Sequence, residues 1–312
     1  MRLRSLSALS IVAVSAVLLA GCSDGAPAPV TTADAALCDA QAASGSGSDA
    51  VSVEGEVGTS ATATFEAPLT VSELEVSTVV EGDGERVSAG DFVNYTLTAY
   101  SAETGDEITS TGFAPGELLP VQVSPESVFG QVFGCSPLGS RVVAAFPGSD
   151  TAPGEVYVLD VLSVTPMSAW GQSQAPVDGM PTVALADDGT PAVTLPDSEP
   201  PSETTVEVLK KGDGYELAAG DYVLLQYQGV RWSNGEVFDQ SWAGGTPLTG
   251  PTTNYVPGFQ KALEGQTVGS QVLAVIPPAD GYGEGEINET NLEGDTLVFV
   301  IDILAAQSAP TP

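Results

Sequence analysis

The chain contains no histidine, and this removes several kinds of catalytic and metal site at once. Ser-His-Asp and Cys-His nucleophile pairs need an imidazole base, and His-ligated metal sites need an imidazole ligand. Basic residues are also scarce, since 8 Lys and Arg stand against 41 Asp and Glu, a formal net charge of −33. Such a chain repels phosphate and anionic lipid headgroups. We therefore expect no nucleic-acid partner and no membrane binding through a basic patch.

Aromatic residues are sparse at 6%, whereas Gly (35) and Pro (23) are abundant, which favours turn-rich β structure over long helices. Hydrophobic residues make up 42% of the 312 residues, enough to build a core. A chain of this length is more typical of two domains than of one.

The N-terminus has the pattern of an export signal. Arg2 and Arg4 precede an apolar run, residues 6–20, that is short for a membrane span. The run ends in Leu-Ala-Gly-Cys at Cys22, which resembles a bacterial lipoprotein signal. That resemblance implies cleavage after residue 21, acylation of Cys22, and a protein held at the outer side of the bacterial cell membrane by lipid. The alternative is a secretory signal or a membrane anchor with an incidental cysteine.

Two further cysteines, Cys38 and Cys135, remain as one pair. Outside the cytoplasm a structural disulfide is the usual state of two such cysteines, and we expect one here that pins the N-terminal arm onto the first domain. The alternative is a reactive thiol, although neither cysteine has a basic neighbour in the sequence that would activate it.

Two long segments of the chain repeat each other. Residues 81–85, 89–93 and 138–140 match residues 211–215, 219–223 and 268–270, a constant offset of 130 positions that needs no gap. The offset reaches back to Val53 and Val183, so each copy includes an N-terminal extension. After Pro277 the offset rises to 142, because residues 156–162 match 298–304. The second copy therefore holds about 12 extra residues within 278–294, where we expect the function that this copy alone performs.

The local patterns predict mostly strands. Apolar, β-branched runs at residues 222–230, 271–276 and 296–304 are bounded by Gly, Asn and Pro, and Asn234-Gly235 is a hairpin signal. One short helix is expected to begin at Pro257, with Phe259, Ala262 and Leu263 on one face and a terminating glycine at 265. A short helix lying across an antiparallel sheet is an α+β arrangement.

The second copy resembles the FKBP-type peptidyl-prolyl cis-trans isomerases over about residues 212–305. Seven stretches carry the resemblance, in the family's order: Gly-Asp-Gly at 212–214, Gln-Tyr-Gln-Gly at 226–229, Asn-Gly-Glu-Val-Phe-Asp-Gln-Ser at 234–241, Tyr-Val-Pro-Gly-Phe-Gln-Lys-Ala-Leu at 255–263, Val-Gly-Ser at 268–270, Ile-Pro-Pro at 276–278 with Gly-Tyr-Gly at 281–283, and Asp-Thr-Leu-Val-Phe at 295–299. One departure is that residues 291–294 stand where the family often has an apolar residue and two prolines.

The resemblance implies two FKBP-like domains, each a twisted antiparallel sheet wrapped on one short helix. It also implies the site residues: Tyr227, Phe238, Val256, Phe259 and Phe299 would line a pocket for the proline ring, with Phe259 as its floor. Tyr282 would donate a hydrogen bond to a substrate carbonyl, and Asp239 would orient the substrate or bias its twisted state. No cofactor or metal is implied. The implied partners are proline-containing, unfolded or partly folded exported proteins, and macrolide inhibitors of the family.

Other interpretations of these residues remain open from the sequence. Phe238, Val256 and Phe299 lie on predicted strands or alternate, as core residues do. Tyr227 is alternatively a core tyrosine whose hydroxyl is hydrogen-bonded. Asp239 is alternatively a turn residue after the hairpin. The acidic residues around Tyr282 have the alternative of a Ca²⁺ site, although their spacing matches no EF-hand loop.

The first copy is similar but degenerate. Thr109 stands at the position of Asp239, Ile108 at that of Phe238 and Leu97 at that of Tyr227, while the segment with Tyr282 is missing. We expect this copy to be catalytically silent, acting as a spacer, a client-holding surface or a scaffold. The expected organisation is a signal peptide (1–21), a flexible tether (22–50), a degenerate domain (51–165), a Pro-rich linker with an N-terminal extension (166–203), an isomerase domain (204–306) and a tail (307–312).

The sequence thus favours an exported, lipid-anchored peptidyl-prolyl cis-trans isomerase whose second domain alone is active and which assists protein folding. Two alternatives remain. One is a chaperone lipoprotein that uses both copies to hold clients without turnover, and the other is a purely structural cell-envelope lipoprotein. Below, residues 51–165 are called the first repeat and residues 166–306 the second repeat.

Overall fold

Two antiparallel sheets, one in each repeat, form the frame of the protein. The computed structural model describes residues 31–288 and 290–310. The N-terminal segment and the first repeat contain, in chain order, α1 (Thr32–Ala40), α2 (Ser46–Asp49), β1 (Ser52–Glu54), β2 (Thr62–Thr64), β3 (Glu75–Val80), β4 (Phe92–Ser101), β5 (Glu107–Thr111), β6 (Val121–Gln122), α3 (Val128–Phe133), β7 (Arg141–Phe146) and β8 (Glu155–Val164). The sheet has the order β3-β7-β8-β4-β5, and β6 also pairs with β4.

The second repeat follows the same plan. Its elements are β9 (Gln172–Ser173), β10 (Thr182–Leu185), β11 (Pro191–Thr194), β12 (Thr205–Lys211), β13 (Tyr222–Arg231), β14 (Val237–Gln240), β15 (Leu248–Pro251), α4 (Pro257–Leu263), β16 (Gln271–Ile276) and β17 (Leu297–Gln307), with single 3₁₀ turns at Trp242–Gly244, Thr252–Asn254 and Pro278–Asp280. The sheet order is β9-β12-β16-β17-β13-β14, with β15 also paired to β13. Without the short β9, this is the strand order of the first sheet.

Each sheet is covered on both faces, which explains why its central strands are apolar throughout. In the second repeat one face packs on α4 around Phe259, Leu263 and Ile301. The other face packs beneath the β10–β11 hairpin, where Val183 and Val193 cover Val298. In the first repeat α1 and α3 cover one face, and the β1–β2 hairpin covers the other. The expected α+β fold is confirmed.

The internal repeat is visible in the strand register. In the first hairpin Ser52 pairs with Thr64, and in the second Thr182 pairs with Thr194, both shifted by 182 − 52 = 130 positions. The expected insertion is also present. Twenty residues (277–296) connect β16 to β17, against eight (147–154) between β7 and β8, a difference of 20 − 8 = 12.

The short helix α4 begins and ends as the sequence predicts. Proline occupies its first turn, where no backbone N–H is needed, and Phe259, Ala262 and Leu263 are buried on one face. Gly265 follows with a φ of 77°, a left-handed conformation that glycine adopts without strain. The hairpin at Asn234-Gly235 is likewise present, between β13 and β14.

The predicted flexible tether, residues 22–50, is wrong for its C-terminal part. The segment from Thr32 onward is folded onto the first repeat by α1 and α2. Leu37 is fully buried in the core, and the backbone N–H of Ala42 donates to the Gln131 carbonyl of α3 over 2.8 Å. The Glu75 carboxylate accepts hydrogen bonds from the first turn of α2. Small-residue composition suggested a solvated chain, but one buried leucine and the backbone contacts order it.

The disulfide between Cys38 and Cys135 is formed, with the two sulfur atoms 2.01 Å apart, and it joins α1 to the residue two positions after α3. Cys22 and the signal segment lie outside the described residues. Among the residues that are described, no helix is long and apolar enough to cross a membrane.

The two repeats contact each other directly. Phe92 and Leu119 of the first repeat pack with Leu224, Leu304 and Ala305 of the second in one buried cluster. The chain after β17 adds to the junction, because the Ser308 N–H donates to the carbonyl of Gly116 over 2.8 Å. The expected tail at 307–312 therefore begins within strand β17 and stays hydrogen-bonded to the first repeat at Ser308.

Candidate active site

A cavity of about 310 Å³ opens between the sheet and helix α4 of the second repeat. Strands β13, β14 and β17 supply its walls, α4 its floor, and the loop after β16 its overhang. All seven residues that the sequence predicts for the site line this one cavity: Tyr227, Phe238, Asp239, Val256, Phe259, Tyr282 and Phe299. Their roles in catalysis stay predictions, whereas their convergence is a fact of the fold.

Three phenylalanine rings form the apolar part of the cavity. Phe259 of α4 and Phe299 of β17 meet edge to face, with ring centroids 5.1 Å apart. Phe238 meets the same Phe299 ring edge to face at 5.6 Å. Edge-to-face contacts of this kind are favourable and hold each ring in a defined orientation. The result is a continuous apolar surface on one side of the cavity.

Gly229 of β13 makes this ring arrangement possible. A Cβ atom at this position would lie 2.5 Å from Phe238 and 2.9 Å from Phe299, closer than carbon atoms can approach. Any side chain here would displace both rings. The corresponding residue of the first repeat is Ala99.

A hydroxyl and a carboxylate lie together at the opposite wall. The Tyr227 hydroxyl donates to Oδ2 of Asp239 over 2.6 Å, an interaction between neighbouring strands β13 and β14. Burial, together with the negative charge of Asp239, raises the pKa of Tyr227 well above its usual value. Tyr227 therefore remains protonated at physiological pH and keeps the carboxylate in place.

The segment that carries Tyr282 is named here the Tyr282 loop and comprises residues 278–294. Tyr282 is half exposed at the cavity mouth. At the start of the loop Asp280 accepts hydrogen bonds from Lys261 of α4 over 2.7 Å and from the Thr204 hydroxyl over 2.6 Å. These two donors lower the pKa of Asp280. The roof of the cavity is thus fastened to the helix that forms its floor.

Three further residues line the cavity that the sequence reasoning did not assign: Leu248, Asn254 and Tyr255. Leu248 begins the short strand β15, and the other two lie just before α4. The Tyr255 ring packs on Phe259, with centroids 4.9 Å apart. Tyr255 directly precedes the Val-Pro-Gly-Phe stretch, and this position in the motif could have identified it as a cavity residue. Leu248 lies in a segment with no distinctive pattern.

The corresponding region of the first repeat is arranged differently. Phe129 packs against Tyr95 and Phe133, with ring centroids 5.2 Å and 5.6 Å apart, at the edge of the core. Tyr157 turns toward Phe146 instead, and its hydroxyl donates to Glu155. Ile108 points outward and is 53% exposed.

A larger cavity of about 390 Å³ lies where the two repeats meet. It contains none of the seven predicted residues, and neither a carboxylate nor an amine lines it. The smaller cavity is the better candidate, because it combines an apolar ring surface with an oriented hydroxyl–carboxylate pair. Within residues 31–288 and 290–310, no group of three Cys, Asp or Glu side chains could hold a metal ion. Asp280, one of the acidic residues considered for Ca²⁺, is bound to Lys261 and Thr204.

Residues 214–304 match the family model of FKBP-type peptidyl-prolyl cis-trans isomerases. Over 110 residues the chain is 36% identical to an FK506-binding protein of Streptomyces anulatus, covering 34% of this chain and 89% of that protein. This chain belongs to the FKBP family. The similarity lies in the second repeat of this FKBP, where the cavity is found.

Other relatives of this FKBP match over shorter fractions of their length. The chain is 31% identical over 101 residues to the peptidyl-prolyl cis-trans isomerase Mip of Coxiella burnetii, covering 32% of this chain and 44% of that protein. Among solved structures it is similar to FkpA from Escherichia coli, with 25% identity, coverage of 43% of this chain and 54% of that one, and a TM-score of 0.32.

Proposed function

We propose that the second repeat of this FKBP catalyses the cis–trans rotation of X-Pro peptide bonds in exported proteins, and that the first repeat has no such activity. The observation that carries the proposal is the convergence of seven motif residues on one cavity, where Phe238 and Phe259 each meet Phe299 edge to face and Tyr227 bonds to Asp239. Family membership supports the same chemistry.

The reaction needs neither a nucleophile nor a metal. Its barrier, about 18–20 kcal/mol, comes from the partial double bond of the amide. An enzyme lowers this barrier by binding the twisted amide better than the planar one. The rings of Phe259, Phe299 and Phe238 would hold the proline ring in a surrounding of low polarity, which disfavours the more polar planar amide.

Polar groups at the rim would then favour the twisted state. The Tyr282 hydroxyl lies on the overhanging loop, where it would donate to the carbonyl of a bound peptide. The Asp239 carboxylate, fixed by Tyr227, would act on the twisted amide through its charge, in a cavity where aromatic walls reduce screening by water. Val256 completes the wall beside Phe259.

The lack of activity proposed for the first repeat rests on its contacts. Phe129 and Tyr157 are engaged with different neighbours, Ile108 faces solvent, and eight residues connect the strands where the second repeat has the Tyr282 loop. The first repeat would act as a scaffold that orients or spaces the second.

The proposed location is outside the cytoplasmic membrane, with the protein held by lipid on Cys22. The Leu-Ala-Gly-Cys signal supports this, and so does the Cys38–Cys135 disulfide, since such bonds persist in oxidising compartments. The proposed substrates are proline-containing, unfolded exported proteins.

The lipid anchor is tested by labelling. In bacteria that express the chain, radiolabelled palmitate should be incorporated into the wild type and not into the Cys22→Ser variant. Equal labelling of both would show that Cys22 is not the lipid site.

The activity is tested with the soluble chain, residues 23–312, and a peptide that contains one X-Pro bond. We expect the chain to accelerate cis-to-trans rotation. Phe238→Ala should lower kcat/KM about 10- to 100-fold, the equivalent of about 1.5–3 kcal/mol of lost apolar contact.

The matched control is Ile108→Ala, the same position in the first repeat, which should leave kcat/KM unchanged. A folded wild-type chain that does not accelerate the rotation would contradict the enzyme proposal and favour a client-binding chaperone. Loss of activity in Ile108→Ala would contradict the assignment of catalysis to the second repeat alone.

A further inference from the structure

A buried arginine binds the C-terminal part of the Tyr282 loop. Arg231 is the last residue of β13 and is only 7% exposed. Its Nε donates to Oδ2 of Asp295 over 3.0 Å, and its Nη2 donates to the carbonyl of Asn288 over 2.8 Å and to that of Asn291. One guanidinium therefore joins the end of a sheet strand to two points of the loop.

The charge of Arg231 is balanced within the same cluster. Asp295 is almost fully buried and also accepts a hydrogen bond from the Ser233 hydroxyl over 2.6 Å. A guanidinium presents several N–H donors in a fixed plane, so it can bind a carboxylate and two carbonyls at the same time. A lysine ammonium lacks this planar fork and cannot reproduce the contacts from the same position.

The bound segment leads directly to Tyr282. The Gly294 N–H donates to the carbonyl of Gly283, the residue after Tyr282, over 2.9 Å. Between these contacts Leu292 packs on the core cluster that contains Phe259 and Phe299. Residues 288–294 contain no proline, so no proline ring restrains this segment. The hydrogen bonds of Asn288, Asn291 and Gly294 restrain it instead.

We infer that Arg231 is a positioning residue for Tyr282. It holds Asn288 and Asn291 against the sheet, and the segment 290–294 holds the backbone next to Tyr282 over the cavity. The inference rests on the proposed function of the same site. It assigns to Arg231 an effect on turnover although Arg231 does not line the cavity.

The first repeat provides a matched control. Arg141 is also buried, also pairs with an aspartate, and donates to the carbonyls of Gly55 and Glu56 in the β1–β2 hairpin. This arginine makes the same type of contact in a repeat without the Tyr282 loop. Arg141→Lys should therefore destabilise the fold without changing kcat/KM.

The experiment compares wild type, Arg231→Lys and Arg141→Lys in the chain of residues 23–312. Arg231→Lys keeps a cation near Asp295, so the buried carboxylate is not left without a counter-charge. We expect kcat/KM to fall about tenfold, mainly through kcat, because the hydroxyl of Tyr282 is displaced from the twisted amide. Amide hydrogen exchange at Gly283 and Gly294 should become about tenfold faster, because both N–H groups donate within the loop.

The same substitution in a Tyr282→Phe chain tests whether Arg231 acts by positioning Tyr282 or only by stabilising the fold. In Tyr282→Phe chains, Arg231→Lys should change kcat/KM less than about twofold, because the group that Arg231 positions is already gone. An equal fold-loss in both backgrounds would overturn the inference, and so would unchanged exchange at Gly283 and Gly294. If Arg231→Lys does not fold, Arg231→Met with Asp295→Asn removes both charges together and serves the same comparison.

Failure of the inference and failure of the proposed function are distinguishable. A wild-type chain without isomerase activity would refute the proposed function, and the exchange rates would then decide alone whether Arg231 holds the loop. An active wild type with an unaffected Arg231→Lys variant would refute only the inference.

Discussion

Each repeat has a buried aspartate at the same register of one strand pair, Asp160 on β8 beside β7 and Asp302 on β17 beside β16. Asp160 pairs with Arg141 on the neighbouring strand, at 2.5 Å between Nε and Oδ1. Asp302 pairs at the same position with Gln271, over 2.7 Å, and with the N–H of Ala169. Burial raises the pKa of Asp302, opposed by these two donors. The first repeat thus uses a full ion pair where the second uses a neutral amide.

The cores beneath the sheets differ in a complementary way. The first repeat has Tyr95 where the second has Leu225, and the Tyr95 ring packs on Phe129, with centroids 5.2 Å apart. It has Ala99 where the second has Gly229, at the place where a Cβ would collide with Phe238 and Phe299. A few side chains at matching positions therefore give the aromatic rings near the short helix different neighbours in the two repeats. If the first repeat is inactive as proposed, the sheet and helix need particular side chains at these positions before they form a working site.

The largest expected difference between the repeats concerns the disulfide. The bond closes a loop of 97 residues in the sequence, so its removal by Cys38→Ser with Cys135→Ser should cost about 4–5 kcal/mol of unfolding free energy in the chain-entropy model. That loss should fall on the first repeat, because the bond fastens helix α1 of the N-terminal segment to the end of its helix α3.

Tryptophan makes this measurable, because all three tryptophans (Trp170, Trp232 and Trp242) lie in the second repeat. Relative to wild type, the urea midpoint of the double serine variant should fall further when unfolding is followed by circular dichroism than when it is followed by tryptophan fluorescence. Isomerase activity below both transitions should equal that of wild type. Equal shifts of the two signals would mean that the repeats unfold as one unit and that their stabilities cannot be compared separately.

The second prediction concerns the phenylalanine that both repeats keep on the short helix, Phe129 on α3 and Phe259 on α4. Phe259→Ala should lower kcat/KM about 10- to 100-fold, because about 1.5–3 kcal/mol of contact with the bound proline is lost. It should also reduce stability by about 3–5 kcal/mol, since Phe259 is buried. Phe129→Ala, the matched change, should leave kcat/KM of the folded protein unaltered and cost less stability, because Phe129 is only partly buried. A loss of activity in Phe129→Ala would show that the first repeat contributes to turnover.

Much of this comparison could be predicted from the sequence. The offset of 130 positions predicted the two copies, and its change to 142 predicted the size of the insertion. Both predictions were possible because equivalent strands of the two repeats have the same number of residues between them except at the insertion. The helix at Pro257 was predictable, since proline, an apolar face and a glycine mark its two ends. The site residues were predictable only through the order of seven motifs. Apolar residues such as Phe238 and Phe299 look like core residues in isolation.

Other features depended on contacts that no local pattern reveals. Residues 32–50 have the composition of a solvated tether, yet Leu37, the Cys38 disulfide and the Ala42 N–H tie them to the distant helix α3 or its core. The carbonyl contacts of Arg141 and Arg231 reach across 86 and 60 positions respectively. Such contacts arise from the way the sheet brings distant segments together, so they become visible only in three dimensions.

The smallest predicted effect is a difference in alkaline stability at one position, Tyr157 in the first repeat and Phe299 in the second. Burial, with a smaller contribution from Glu155, raises the pKa of Tyr157 to about 12. The unfolded chain loses this proton near pH 10, whereas the folded chain keeps it until its higher pKa is reached. The stability that Tyr157 contributes is therefore present below pH 10 and is lost as the pH rises toward 12.

The Tyr157→Phe variant has the residue type of the second repeat at this position. In this variant the urea midpoint should decline less steeply between pH 8 and pH 11. The difference should be small, because the Tyr157 ring is partly exposed. The exposed Tyr222→Phe change is the control, and an unaltered slope in Tyr157→Phe would show that the hydroxyl does not distinguish the two repeats.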